Sequence, residues 1–341
     1  NFGDAWSMGD TSVAAWTARM FRDPLAQHVA STVGVIKSHL SIVWFDPSVP
    51  SQAPGSDLHQ VRFANDWVVA RTGWDEQSTT VALRSGGPAN HEHADRNSVI
   101  FKAYGERLFH DPFKAAYSYT EPHWILRLTE AHTAVLINGK GHQYHDGHQG
   151  TNACWAEAKV VSSKTSPEFV IVTSDATEAY RLVNAAVQLV MRTMVFLRPD
   201  ILLLVDRVRM STGTAKVELR FQVDNSDGKG TARTDEKNFR IERPNANLYA
   251  RVQSDGPVAI RTATLNVPVE HGVHPFVEVE SADAPEHLLL TVCTAATQGT
   301  EHGTVNVSRE GNSWRVAGRH NSRAVKIAIS TDKDIPEITV L

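Results

Sequence analysis

Half of the sixteen histidines in this 341-residue chain fall between Gly86 and Gln149: His91, His93, His110, His123, His132, His142, His145 and His148. Asp95 and Asp111 lie in the same stretch. Imidazole and carboxylate together suit zinc or a similar divalent ion. In an extended strand, His91 and His93 would face the same side, because side chains alternate with a period of two. One could then hold a metal while the other moves a proton. An isolated His-x-His is also common in surface loops and among hydrogen-bonded structural residues. His142, His145 and His148 sit among Gly, Asp and Gln and read as a solvated loop. Glu92 reads as a surface group, and Asp95 as a surface group or a support behind the ligands. No His-Glu-x-x-His is present, and His91-Glu92-His93 is too short to replace one.

These residues need a scaffold, and the composition allows one. Hydrophobic residues make up 41% and charged residues 21%, an ordinary globular balance able to bury a sizeable core. The formal charge of -4 gives no basic field for nucleic acid. Mean hydropathy is -0.28, and no apolar run approaches the ~20 residues of a membrane helix. Cys154 and Cys293 exclude a disulfide-rich scaffold and a Cys-x-x-Cys metal site; they pair or stay free. The opening Asn1-Phe2-Gly3-Asp4 has no charged or apolar signal region, so the expectation is that upstream sequence has been removed.

The chain falls into three stretches. Residues 1–45 read as helical: Val13, Trp16 and Met20 share one face after Asp10, Thr11 or Ser12 as N-cap, and Asp23-Pro24 breaks the run. Leu25, Val29, Val33, Ile36 and Leu40 then form a second stripe. So little helix should pack on something else. Residues 46–59, rich in proline and serine, read as a linker. Residues 60–341 carry short β-branched and aromatic runs, such as 67–71, 81–84, 217–223 and 248–252, separated by turns. Val305/Val307, Trp314/Val316 and Val325/Ile327/Ile329 alternate with polar residues around a turn at Gly311-Asn312. The fold class is therefore mainly β, a large antiparallel sandwich. Residues 201–205 and 288–292 are apolar on both faces, as strands in the middle of stacked sheets would be.

The pattern His91-x-His93-x-Asp95-x-Asn97-Ser98, followed by Tyr104-Gly105-Glu106, Leu108 and Asp111-Pro112, resembles the heparinase II/III C-terminal domain. So do residues 129–135 with Asn138-Gly139-Lys140-Gly141, residues 175–180, and 192–207. Even Asn1-Phe2-Gly3-Asp4 resembles part of that family's helical domain. Phe113 stands where glycine often follows Asp-Pro, and Thr133 where asparagine often follows the last histidine. The resemblance implies a single structural zinc held by His93, Asp111 and His132. It also implies that residues 1–45 are the last helices of an α/α toroid whose upstream part is a partner of this chain.

The reaction implied is β-elimination on a uronic-acid polysaccharide, alginate or a glycosaminoglycan such as heparin or heparan sulfate, in a bacterial periplasmic or secreted setting. A base must remove the weakly acidic C5 proton, the neighbouring carboxylate must be neutralised, and the leaving O4 needs a proton. By the same resemblance His91 is the base or carboxylate-facing residue. Tyr117, with Tyr119 as alternative, is a candidate acid or substrate contact; both could equally pack locally. Arg84, Arg96, Arg127 and Lys140 are candidate contacts for carboxylate or sulfate. Competing readings are a non-catalytic carbohydrate-binding sandwich, a glycoside hydrolase, which needs two flanking carboxylates, and a zinc hydrolase.

Overall fold

The computed structural model describes residues 11–32, 39–87, 93–142, 156–300 and 302–341. The chain forms two compact units divided between His59 and Gln60.

In the first unit, α1 (Ser12–Phe21), α2 (Pro24–Thr32) and α3 (His39–Trp44) follow one another. Asp23 caps α2: its Oδ1 accepts the Leu25 and Ala26 N–H groups at 2.8 and 3.0 Å. Pro24 opens the helix where its missing N–H costs nothing. The stripe of Val13, Trp16 and Met20 is exposed, and small residues, Ala15, Ala18 and Ala30, make the buried face instead. Residues 46–59, expected as a linker, fold back on the helices. The Gln52 N–H donates to the Pro24 carbonyl at 2.9 Å, Gln27 Nε2 donates to the Asp46 carbonyl at 3.1 Å, and Val49 is buried. Three prolines did not prevent packing because the segment draws its hydrogen bonds from the helices.

The second unit is antiparallel β throughout. Its first sheet is β1 (Gln60–Arg62), β2 (Val68–Arg71), β3 (Thr80–Leu83), β4 (Val99–Ala103) and β5 (Glu106–Phe109) in sequence order. The large sheet has eight strands: β7 (Lys159–Thr165), β8 (Phe169–Asp175), β9 (Val187–Leu197), β10 (Ile201–Met210), β12 (Thr231–Thr234), β13 (Asn238–Glu242), β14 (Ala246–Ser254) and β17 (Glu286–Thr297). Its spatial order is β12-β13-β14-β17-β10-β9-β8-β7. A third sheet runs β15-β16-β11-β6, from β6 (Val135–Ile137), β11 (Val217–Gln222), β15 (Val258–Thr264) and β16 (Pro275–Ser281). The last is the meander β18 (Val305–Glu310), β19 (Ser313–His320), β20 (Arg323–Ser330) and β21 (Glu337–Val340). One short helix, α4 (Thr177–Arg181), follows β8.

The eight-stranded sheet is the middle layer. Leu202, Leu204, Leu289 and Cys293 point into a core shared with Phe101, Phe109, Val135 and Phe221 of the first and third sheets. Ile201, Leu203, Val205, Leu288, Leu290 and Val292 point the other way, against Trp314, Val316, Ile327 and Ile329 of the last sheet. Runs 201–205 and 288–292 are apolar on both faces because both faces are covered. Cys293 is a buried free thiol, pushed up in pKa by burial; Cys154 lies outside the described residues.

Strand β11 carries a buried carboxylate, Glu218, whose two oxygens accept the Gly139 N–H at 3.1 and 3.2 Å. Burial, with repulsion from Glu278 and Glu280, pushes its pKa up to about 7 against the pull of that N–H. A folded-state value above the unfolded one means that ionisation costs stability: nothing at low pH, increasingly from 4.5 upward, and fully above about 7. Glu218→Gln should therefore leave the melting temperature unchanged near pH ~4 and raise it near pH ~8. Equal shifts at both pH values would refute this.

Candidate metal centre

Three loops converge at one buried point. His93 follows β3 and precedes β4, Asp111 lies two residues past β5, and His132 sits between a short 3-10 helix, Thr129–Ala131, and β6. All three residues are buried, and one potential ligand atom from each lies within 4.8 Å of the others. His132 Nδ1 is 2.7 Å from Asp111 Oδ1. The His93 and His132 rings are 5.4 Å apart.

Two hydrogen bonds at the end of β11 align the Asp111 and His132 loops. The Gln222 N–H donates to Thr133 Oγ1 at 3.2 Å, while the His110 N–H donates to the Gln222 carbonyl at 3.0 Å. The His93 loop is tied elsewhere: the Ala94 N–H donates to the Arg127 carbonyl at 2.7 Å, and Thr129 Oγ1 donates to the Ala94 carbonyl at 2.8 Å. The chain passes close enough to Thr129 that a Cβ on Gly141 would fall 1.9 Å from Thr129 Oγ1, so glycine is required there.

Behind the site, Arg192 and Asp206 form a fully buried bidentate pair, with Nε–Oδ1 at 2.7 Å and Nη2–Oδ2 at 3.1 Å. The remaining nitrogen, Nη1, donates to the Asn97 carbonyl at 2.8 Å and the Thr133 carbonyl at 2.5 Å. One guanidinium thus holds the His93 loop and the His132 loop together. Asn97 takes a left-handed conformation, φ 63°, to present that carbonyl.

The electrostatics favour a cation. Burial opposes charge on His132, but Asp111, by charge and hydrogen bond, and Asp95 more than offset it, so the ring's pKa stands above the ordinary imidazole value. Burial alone would raise Asp95, yet Arg84 and Arg96 hold it below the usual carboxylate range. Their guanidinium nitrogens lie 3.6 and 3.2 Å from its Oδ1. His132 Nε2 is buried without a hydrogen-bond partner, a rare condition for a native polar atom and one a bound ion relieves. Two imidazoles and a carboxylate, dry and mutually close, are a donor set that fits zinc.

The other residues anticipated from sequence divide sharply. Arg84, Arg96 and Arg127, expected to meet substrate, are all turned inward. Arg96 donates to the Gly87 and Ala156 carbonyls at 3.1 and 3.0 Å. Arg84 stacks on Trp67 at 4.7 Å, and Arg127 donates to the Ala116 carbonyl and lies 4.1 Å from the Tyr117 ring centroid. Guanidinium groups that satisfy buried carbonyls and Asp95 brace the loops. Lys140 is exposed, on the turn after Asn138 and Gly139. Tyr117 and Tyr119 are exposed. His91, Glu92, His145 and His148 lie outside the described residues. His142, expected in a solvated loop, is fully buried, and its Nε2 accepts the Arg96 N–H at 2.9 Å. Burial and the Arg96 charge hold it well below the usual imidazole pKa, so it is a neutral clamp. Gln222 was not singled out from sequence, since its partners lie far away along the chain. Arg192 and Asp206 stood there only as part of the resembling stretch 192–207, without a role, although they face each other across one hairpin.

Residues 55–276 match the family model for the heparinase II/III-like C-terminal domain. The chain belongs to that family. Among solved structures it resembles a heparan sulfate lyase from Pedobacter heparinus, with a TM-score of 0.70 at 14% identity. A crystal structure of heparinase III gives 0.71 at 14% identity. Each alignment covers 100% of this chain but only 49% and 50% of the other, so the chain spans about half the length of these proteins. A comparison with curated proteins returned no match.

Elemental analysis of the purified chain should find about one zinc, absent from His93→Ala; equal metal in both, or none in either, would dismiss the site. Arg192→Ala, which strands a buried Asp206, should cost about 3–5 kcal/mol in denaturant unfolding and lower zinc occupancy. Full stability in that variant would show that the pair does not brace the loops.

Proposed function

We propose that this chain is the sandwich half of a polysaccharide lyase that cleaves a uronate-containing glycosaminoglycan by β-elimination, with a structural zinc at His93, Asp111 and His132. The observation that carries this reading is the convergence of those three buried side chains in a member of the heparinase II/III-like family. The named activities of the similar solved structures, a heparan sulfate lyase and heparinase III, favour a glycosaminoglycan over alginate.

Bound zinc would supply a fixed positive charge that holds the three loops in register. The chemistry belongs to side chains around it. His91, two residues before the ligand His93, is proposed to face the substrate carboxylate or take the C5 proton. Tyr117 is proposed to donate to the leaving O4. Its ring is exposed, and the cation of Arg127 against its face fixes its position. Buried Arg84, Arg96 and Arg127 support these groups rather than touch sugar, while exposed Lys140 is proposed to meet an acidic group of the substrate. An extracytoplasmic setting accords with such a substrate.

The first unit leaves Val13, Met20, Phe21, Ile42 and Val43 exposed. An apolar surface of this kind calls for a partner, and upstream toroid helices are the proposed one. The experiment is incubation with heparan sulfate and with alginate, following the ultraviolet absorbance of unsaturated uronate products. The chain alone should be weakly active or inactive, and supplying the upstream helical part should restore turnover. Full turnover by the chain alone would remove the upstream requirement. New reducing ends without the absorbance would replace the lyase with a hydrolase, and binding without product would make the chain a carbohydrate-binding module.

A further inference from the structure

The meander β18–β21 covers the outer face of the eight-stranded sheet over β17, β10 and β9. Strands β13 and β14 lie beside that cover, and residues 298–300 and 302–306 line a cavity together with them. The result is a ledge with a cavity of about 620 Å³. Along β14, Leu248, Ala250 and Val252 point into the core, so the alternating Asn247, Tyr249 and Arg251 form the floor. Arg240 and Glu242 on β13 stand directly opposite Tyr249 and Asn247. The metal centre is built on the first and third sheets, which pack against the other face of this layer.

Among the described residues, the charges on the ledge are unbalanced. There Arg251 donates to two neutral amides, Asn306 Oδ1 at 2.7 Å and Asn238 Oδ1 at 3.3 Å. Arg240 is exposed and has no carboxylate partner among the described residues. Glu242, an acidic group of the lining, is drawn to Arg233, 3.6 Å away. Beneath them, Asn247 is buried with its Oδ1 unpaired, and so is Nε2 of His302. Buried polar atoms without partners are costly and few. Two guanidiniums with no carboxylate partner among the described residues, an aromatic ring, and unpaired amide and imidazole atoms match an acidic sugar: a carboxylate for the arginines, a ring face for Tyr249, and hydroxyls for the rest.

We propose that this ledge is a second saccharide site, separate from the metal centre, that binds a carboxylate-bearing unit of an acidic oligosaccharide. Only the choice of probe rests on the lyase reading. Isothermal titration of the full chain with a heparan-sulfate-derived tetrasaccharide, an alginate-derived tetrasaccharide and neutral cellotetraose tests it. At least one acidic tetrasaccharide should bind. Arg240→Gln/Arg251→Gln and Tyr249→Ala should each weaken binding about tenfold, with melting temperature and zinc content unchanged. Arg240→Glu, an exposed charge reversal that spares the fold, should do the same. Removing metal with a chelator should leave this binding intact. Unchanged affinity in the arginine variants, equal affinity for cellotetraose, binding lost with the metal, or no binding would each overturn the proposal. Failure of the lyase reading shows separately, as absence of unsaturated product whatever the titration gives.

Discussion

A charge taken out of water must find all its partners inside the protein, and Arg192 has done so. Its guanidinium is fully buried, and it is matched by both oxygens of Asp206 and by two main-chain carbonyls. Desolvating such a pair is expensive, and its net contribution to stability is small. Its value lies in position. The carbonyls belong to the loops that carry His93 and His132, so neither loop can drift without uncovering a buried charge. Asp95 repeats the device in the His93 loop itself, with Arg84 and Arg96 around it. Ionic bracing, rather than apolar packing, sets the geometry of the candidate centre.

The layers explain why loops from different sheets meet there. Strands β3 to β5 deliver His93 and Asp111, and the third sheet delivers His132. Both sheets rest on the same face of the eight-stranded layer. The C-terminal meander covers the opposite face over β17, β10 and β9, and the ledge lies over β13 and β14. One sheet therefore supports the candidate metal centre on one side and a polar ledge on the other.

Much of this was legible in the sequence. Alternation in 305–329 gave the meander and its turn, and apolar runs at 201–205 and 288–292 gave strands covered on both faces. Asp23-Pro24 gave a helix boundary. These signals are local, and local periodicity reports them directly. The heparinase pattern also singled out His93, Asp111 and His132, which the fold brings together. What failed was direction. An arginine reads as a surface charge unless its buried partners are known, and Arg84, Arg96 and Arg127 find theirs in Asp95 and in main-chain carbonyls of other loops. His142 looked solvated for the same reason. The stripe Val13, Trp16 and Met20 marked a real helix, but not its buried side.

The position of β17 has a kinetic consequence. It is inserted between β10 and β14, although it follows both in sequence by tens of residues, and Leu289 is the residue opposite Asp206. Until β17 arrives, the strand bearing Asp206 has an open edge, and solvent can reach the ion pair that braces the loops. A chain emerging from the ribosome has made every candidate ligand long before it can dry out the device that orders them. Pairings over such separations are slow, because loop closure precedes the contacts that reward it. The centre, encoded in the first half of the chain, must therefore be among the last parts of the second unit to become rigid.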